Sequence, residues 1–159
     1  MSESTVRHYL ERFGRSHDIR VFAQSSATVE LAAQAVGCEP ARIAKTLSLY
    51  SQDGNAAVLI VAAGDARINS GDFKRAFGYK ARFLQSDDVA RLTGHEPGGV
   101  CPFANPESAT IYLDESLRRF ETVYPAAGSA NSAIELTLSD LEELSNAAGW
   151  VSVARLPLG

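Results

Sequence analysis

Residues that carry chemistry on their own are scarce in this chain: three histidines, two cysteines, one tryptophan and one methionine in 159 residues. The histidines, His8, His17 and His95, lack metal-ligand spacing, so neither a metal centre nor a cofactor is expected. Cys38 and Cys101 stand far apart with no second pair, which argues against a disulfide framework or a Cys-X-X-Cys site and leaves reduced thiols. No Gly-X-Ser-X-Gly elbow presents a nucleophilic serine, and neither a Walker loop nor a Gly-X-Gly-X-X-Gly dinucleotide fingerprint is present. Long apolar runs are missing too. Nothing approaches the roughly 18 residues that would span a membrane. The start MSESTVRHYLERF is too polar for a secretory signal, so a cytoplasmic protein without membrane association is expected.

Positive charge is also short. A formal net charge of −4 offers no general attraction to nucleic acid. DNA is therefore not an expected partner, and RNA would need a local basic surface or recognition of one end. Arg67, Lys74, Arg75, Lys80 and Arg82 share their stretch with the single acid Asp72, which reads either as a solvated face or as such a surface. The rest is ordinary for a globular protein, with 45% hydrophobic and 21% charged residues. A single domain over residues 1–159 is expected, as a monomer or a homodimer.

Helical spacing of Val6, Tyr9, Leu10 and Phe13 predicts a helix over about residues 4–13, stopped by Gly14. A short strand over Ile19–Ala23 and a helix over Thr28–Val36 ending at Gly37 follow. From Arg42 to Tyr50 the residues alternate, with Ile43, Lys45, Leu47 and Leu49 on the side expected to face the core. Asp53-Gly54 predicts a hairpin into the apolar run Ala56–Ala63. Further expectations are a helix over Ser70–Phe77, a strand over Lys80–Leu84 and a helix from Ser86 as cap to Leu92. Strands over Thr110–Leu113, Thr122–Tyr124 and Ile134–Thr137 come next. A Ser139/Glu142 capping box opens a helix to about Ala147 that Gly149 ends, and a strand over Trp150–Ala154 closes the chain. The sum is an α+β (mixed α/β) fold: a curved, barrel-like mixed sheet of about seven strands with helices packed outside.

Two features point to chemistry. Lys45 shares a strand face with Ile43, Leu47 and Leu49, and lysine is almost never buried without a partner. Either it snorkels to water or a carboxylate, or it is a cation aimed into a pocket where a phosphate or oxyanion would meet it. The stretch Thr93–Pro102 holds Gly94, Gly98, Gly99, Pro97 and Pro102, and glycine amides there can approach a carbonyl or phosphate closely, although a tight turn feeding the next strand reads the same way. Cys101 lies in that loop as a candidate nucleophile, with His95 the only histidine near it in sequence. Ser129 and Asn131, in the turn Gly128–Ser132, either line a small pocket or simply make a hairpin.

Taken in order, Ile43-Ala44-Lys45-Thr46-Leu47, Ala63-Gly64-Asp65, Gly98-Gly99-Val100-Cys101-Pro102 and Ala133-Ile134-Glu135-Leu136 resemble the YbaK family and the related editing domain of bacterial prolyl-tRNA synthetases. The resemblance implies a trans-editing aminoacyl-tRNA deacylase acting on tRNA(Pro) that carries cysteine, alanine or another small non-cognate residue. It implies Lys45, Gly98 and Gly99 as catalytic, and Phe22, Thr46, Asp65, Gly94, Val100, Cys101, Pro102, Ser129 and Asn131 as substrate-binding. Its partners would be the aminoacylated 3′ end of tRNA and prolyl-tRNA synthetase. Where some relatives carry histidine or aspartate before the late strand, this chain has Ser132 and Ala133, so no side-chain base is evident. The alternatives are a non-catalytic tRNA- or nucleotide-binding accessory module and a thiol-dependent esterase using Cys101.

Overall fold

The computed structural model describes residues 2–157. In chain order the elements are α1 (Ser2–Glu11), β1 (Arg20–Val21), α2 (Val29–Val36), β2 (Ile43–Tyr50), β3 (Ala57–Ala63), β4 (Arg67–Ile68), α3 (Ser70–Phe77) and α4 (Ser86–Thr93). They continue with β5 (Thr110–Asp114), β6 (Thr122–Pro125), β7 (Ser132–Ala133), β8 (Leu136–Thr137), α5 (Leu138–Ser145), β9 (Gly149–Val151) and β10 (Ala154–Arg155). Six strands form one mixed sheet in the order β8-β6-β2-β3-β5-β9, curled into a half-barrel. Two short antiparallel ladders, β1 with β7 and β4 with β10, brace its rims.

The hairpin β2–β3 is the spine. Asp53 fixes its turn by accepting from the Ser51 hydroxyl at 2.7 Å and the Asn55 amide at 2.9 Å. In the antiparallel register Ala44, Thr46, Ser48 and Tyr50 lie opposite Ala63, Val61, Leu59 and Ala57, and opposed residues share a face. That face, not the one with Lys45, meets the large core, where Leu59, Val61, Leu113, Phe103 and Ile134 are fully buried. The Ile43–Leu49 side is covered by helices instead: Ile43 packs with Ala32 and Ala33 of α2, and Leu47 and Leu49 pack with Phe73 and Phe77 of α3. Because both faces of the sheet are covered, the alternation of β2 fixes its sides without saying which side faces the larger core.

Other departures from expectation have local causes. Residues 80–84 run beside β2 but bridge it only at Leu49 and Phe83, so no ladder forms. The last helix is capped by Thr137, whose hydroxyl accepts from the Asp140 amide at 3.1 Å, and it ends on Asn146 at φ 53° rather than at Gly149. Gln85 replaces Ser86 at the start of α4, without a side-chain cap. Of the strand expected over Ile134–Thr137 only Leu136–Thr137 forms, as β8, with β7 just before the expected start, and the strand expected over Trp150–Ala154 is broken into β9 and β10.

Asp114, fully buried at the end of β5, ties the C-terminal segment down. Its carboxylate accepts from the amides of Ser116 (2.9 Å), Val153 (2.9 Å) and Ala154 (3.1 Å). Asp114→Ala orphans three amides, and we expect it to lower unfolding free energy by about 3 kcal/mol in urea titration. A loss under about 0.5 kcal/mol would refute that role.

Candidate functional site

Where β6 ends its short pairing with β2 at Ile43 and Ala44, the edge of β2 opens on a cavity of about 220 Å³. Its walls come from the segment before α2 (Ser26, Ala27), the start of α2 (Thr28, Val29, Ala32), from β2 (Ile43 to Thr46), from the glycine loop (Gly98, Val100) and from Tyr124, Ala126, Ser132 and Ala133. The volume is below the roughly 300–1,000 Å³ of sites for drug-sized ligands, so it suits a small group. Thr28 caps α2 by accepting from the Leu31 amide at 3.1 Å, and with Val29 it brings the positive end of that helix to the cavity.

Lys45 projects between the α2 and α3 clusters. Its Nζ donates to the Gly64 carbonyl at 3.2 Å, which leaves further N–H donors for a ligand. Burial, followed by the nearby Arg67 guanidinium, holds its pKa below the ordinary 10.5, while Asp65 and Glu30 pull the other way. Only glycine fits at position 64, because a Cβ there would stand 2.0 Å from the Pro40 carbonyl oxygen. Asp65 does not line the cavity. It takes a bidentate pair from Arg119 at 2.6 and 3.1 Å, and that guanidinium pushes its carboxyl below the usual carboxylate range. Arg119 carries no motif, which is why sequence reasoning passed it over.

The glycine loop divides in function. Gly98 sits at φ +90°, a conformation that favours glycine, and lines the cavity with Val100. Among the described residues neither amide has a backbone partner. Gly99 differs from expectation: its amide is already bonded to the Glu96 carbonyl at 3.0 Å, and a Cβ would lie 3.0 Å from Ser129 Cα, so it is a packing contact between two loops. Gly94 terminates α4 at φ 81°, and Pro102 faces a second cavity beside α1 and α5.

Phe22, Ser129 and Asn131 do not line the cavity either. Asn131 Nδ2 donates to the Phe22 carbonyl at 2.8 Å, Ser129 Oγ donates to Asn131 Oδ1 at 2.9 Å, and Ser132 Oγ lies in hydrogen-bond contact with Ser129 Oγ at 2.8 Å, with the one Ser129 proton spent on the amide oxygen. This network presents Ser132, which does line it. Thr46, on the large-core face of β2, also lines the cavity, and its Oγ1 is buried with no partner among the described residues. Sequence reasoning missed Thr28 and Tyr124, whose placement depends on pairings distant in the chain, whereas Ser132 belongs to the Gly128–Ser132 turn already read as able to line a pocket.

Cys101 is buried at 0% exposure, and burial pushes its thiol up to about 12. His95 Nε2 lies 3.4 Å from its sulfur but 2.8 Å from the Phe103 carbonyl, which can only accept, so that nitrogen carries a proton and cannot take one from the thiol. A thiol-dependent esterase has no support here. The described residues contain no group of three or more histidine, cysteine or acidic side chains able to hold a metal, and no helix long and apolar enough to cross a membrane.

The family model for the aminoacyl-tRNA editing domain matches residues 23–144, and the chain belongs to that family. It is 48% identical over 155 residues to the uncharacterized protein YwhH of Bacillus subtilis (strain 168), with 98% of each chain covered. A crystal structure described as that of a candidate trans-editing enzyme for prolyl tRNA synthetase superposes with a TM-score of 0.85 at 30% identity, covering 97% of both chains.

Alkylation separates the two thiols. Cys38, partly exposed, is expected to react with iodoacetamide in the native protein, while Cys101 reacts only when the whole chain unfolds. Cys101 labelling at the rate of Cys38 would contradict the geometry.

Proposed function

We propose that the chain is a trans-acting, cytoplasmic deacylase that hydrolyses the ester of mischarged aminoacyl-tRNA, with tRNA(Pro) carrying cysteine, alanine or a similarly small residue as substrate. It would work alongside prolyl-tRNA synthetase. The observation that carries this reading is Lys45, an ammonium beside a cavity sized for one small aminoacyl group and fixed by a turn that admits only glycine. The relative described as a candidate trans-editing enzyme supports the choice of tRNA(Pro).

An aminoacyl ester is already activated, so orientation and preorganised dipoles supply most of what catalysis needs. In this mechanism the Lys45 ammonium holds the terminal ribose or phosphate and the free amides of Gly98 and Val100 orient the ester carbonyl. Thr46 and Ser132 hydroxyls hold the amino group or the attacking water. The lining contains no carboxylate, imidazole or thiol, so the proton released by water passes to the substrate's own α-amine and then to the departing ribose oxygen.

A deacylation panel on tRNA(Pro) charged with alanine, cysteine, serine, threonine, 2-aminobutyrate and cognate proline tests this directly. Turnover on a small residue and none on proline is expected. Saturable binding without release would assign the accessory-module alternative. Lys45→Ala should lower the rate by about 10²-fold or more, the usual cost of losing one preorganised donor, with folding intact.

The pH dependence follows from the sign of the Lys45 shift. The cation is present below its depressed pKa, so activity falls as pH rises through that value. Asp65→Asn removes a charge that favours the ammonium and should move the alkaline limb to lower pH, while Lys45→Arg should abolish the limb. A limb identical in wild type and Asp65→Asn would show that Lys45 is not its source.

A further inference from the structure

The basic stretch noted in the sequence takes no part in the cavity, yet the fold lays it on the same side of the sheet as Lys45. Lys45, Leu47 and Leu49 share that face, and the bridge between Leu49 and Phe83 puts Phe83 there too, four strand positions or about 13 Å from Lys45. Phe73 and Phe77 seat α3 on Leu47 and Leu49, which turns Lys74 and Arg75 to solvent. Arg67 leaves the turn that holds Lys45 and is exposed, and Lys80 follows just after α3. Lys45, Lys74 and Lys80 are all the lysines of the chain.

Pairing sharpens the asymmetry. Elsewhere six arginines are held by carboxylates, Arg7 by Glu3, Arg15 by Asp18 and Asp140, Arg42 by Glu135, Arg91 by Asp88, Arg118 by Glu115 and Arg119 by Asp65, while Arg12 and Arg20 lie against aromatic rings. On this face the one acid between Arg67 and Arg82, Asp72, is held by both Arg75 and Arg155, and among the described residues Arg67, Lys74 and Lys80 have no ion-pair partner. Phe83 is a large apolar side chain 54% exposed, next to Arg82 in sequence. Unpaired cations interleaved with an exposed ring are the combination that tracks a nucleic-acid backbone and stacks a base.

We propose that this face, from Arg67 past Lys74 to Lys80 and Phe83, carries the acceptor end of the tRNA while the aminoacylated terminus occupies the cavity. The cations meet backbone phosphates and Phe83 stacks on an unpaired base or on the end of the stem. The proposal rests on the editing reading for its choice of RNA. An anionic membrane would meet the same lysines, but α3 presents Ser70, Lys74, Arg75 and Ala76 outward rather than an apolar stripe.

The test compares wild type, Lys74→Ala/Lys80→Ala and the triple variant with Phe83→Ala, using uncharged tRNA(Pro) transcript for binding and both mischarged tRNA(Pro) and 3′-aminoacyl-adenosine for hydrolysis. Loss of two phosphate contacts should raise the Kd for transcript roughly tenfold at low salt and reduce the slope of log K against log salt by about 2. Adding Phe83→Ala should weaken binding several-fold more. Hydrolysis of aminoacyl-adenosine should stay within about twofold of wild type while kcat/KM on full-length tRNA falls with binding. An unchanged affinity and salt slope in the double variant overturns the proposal, as does wild-type binding to phosphatidylserine vesicles but not to transcript. Failure of the editing reading looks different: transcript binding sensitive to the double variant, with no amino acid released from any charged tRNA, supports the RNA face and removes the hydrolysis.

Discussion

A charged group drawn out of water between two apolar clusters has to be met by a fixed polar partner, and at Lys45 that partner is a single backbone carbonyl, that of Gly64. The arrangement around it follows from this need. For the carbonyl to reach Nζ, the turn after β3 passes so close to Pro40 that no side chain fits at residue 64. The turn is then anchored from outside by the Arg119 pair to Asp65. One neutral acceptor does not saturate an ammonium with three donors, so the lysine is held in place with capacity left over. A carboxylate in direct contact would have fixed it more tightly and neutralised its charge.

The opposite wall shows the same economy. Gly98 and Gly99 look equivalent in sequence, yet one supplies a positive φ at the cavity and the other a close approach to the Ser129 turn. Gly99 packs on that turn, and Gly98 and Val100 on one loop line the same cavity as Ser132 on the other. Two loops that would be mobile alone thus fix each other, as preorganised dipoles require. Behind them Cys101, His95 and Phe103 form buried support, with the histidine bonded to a carbonyl and the thiol far from ionising.

Much of this was legible beforehand, and the part that was not shares one cause. The alternation of β2 and the Asp53-Gly54 turn mark the spine, and Lys45 stands out because it breaks an apolar pattern whose period is local. Gly98 is readable for a similar reason, since positive φ has a strong residue preference. The large core's side of β2 was not readable, because helices cover the Leu47 and Leu49 face as well. Thr28 and Tyr124 reach the cavity through a helix cap and strand pairings, information carried by residues far apart in the chain. Asp65 and Cys101 were over-read: a motif locates them correctly beside the site, but their side chains turn away from the cavity into a salt bridge and a core.

Lys45 stands on the side of the sheet away from the large core. Leu59, Val61, Leu113 and Ile134, all but completely buried, lie on the other side of the sheet from Lys45, while the cavity at the edge of β2 is lined by Ala32, Ile43 and Tyr124 of the α2 cluster and by Ala44, Val100 and Ala126 at the margin of the large core. A change of one methyl at Val29, Ala32 or Ile43 alters cavity shape without reaching that core, and discrimination worth about 1–3 kcal/mol per methylene turns on such changes. On the proposed reading, the choice of amino acid can therefore be tuned at these positions while the Lys45 turn and the paired loops stay as they are. Recognition of the nucleic acid can be tuned separately, because the cations that would meet it stand on α3 and its flanks and touch neither the cavity nor the core.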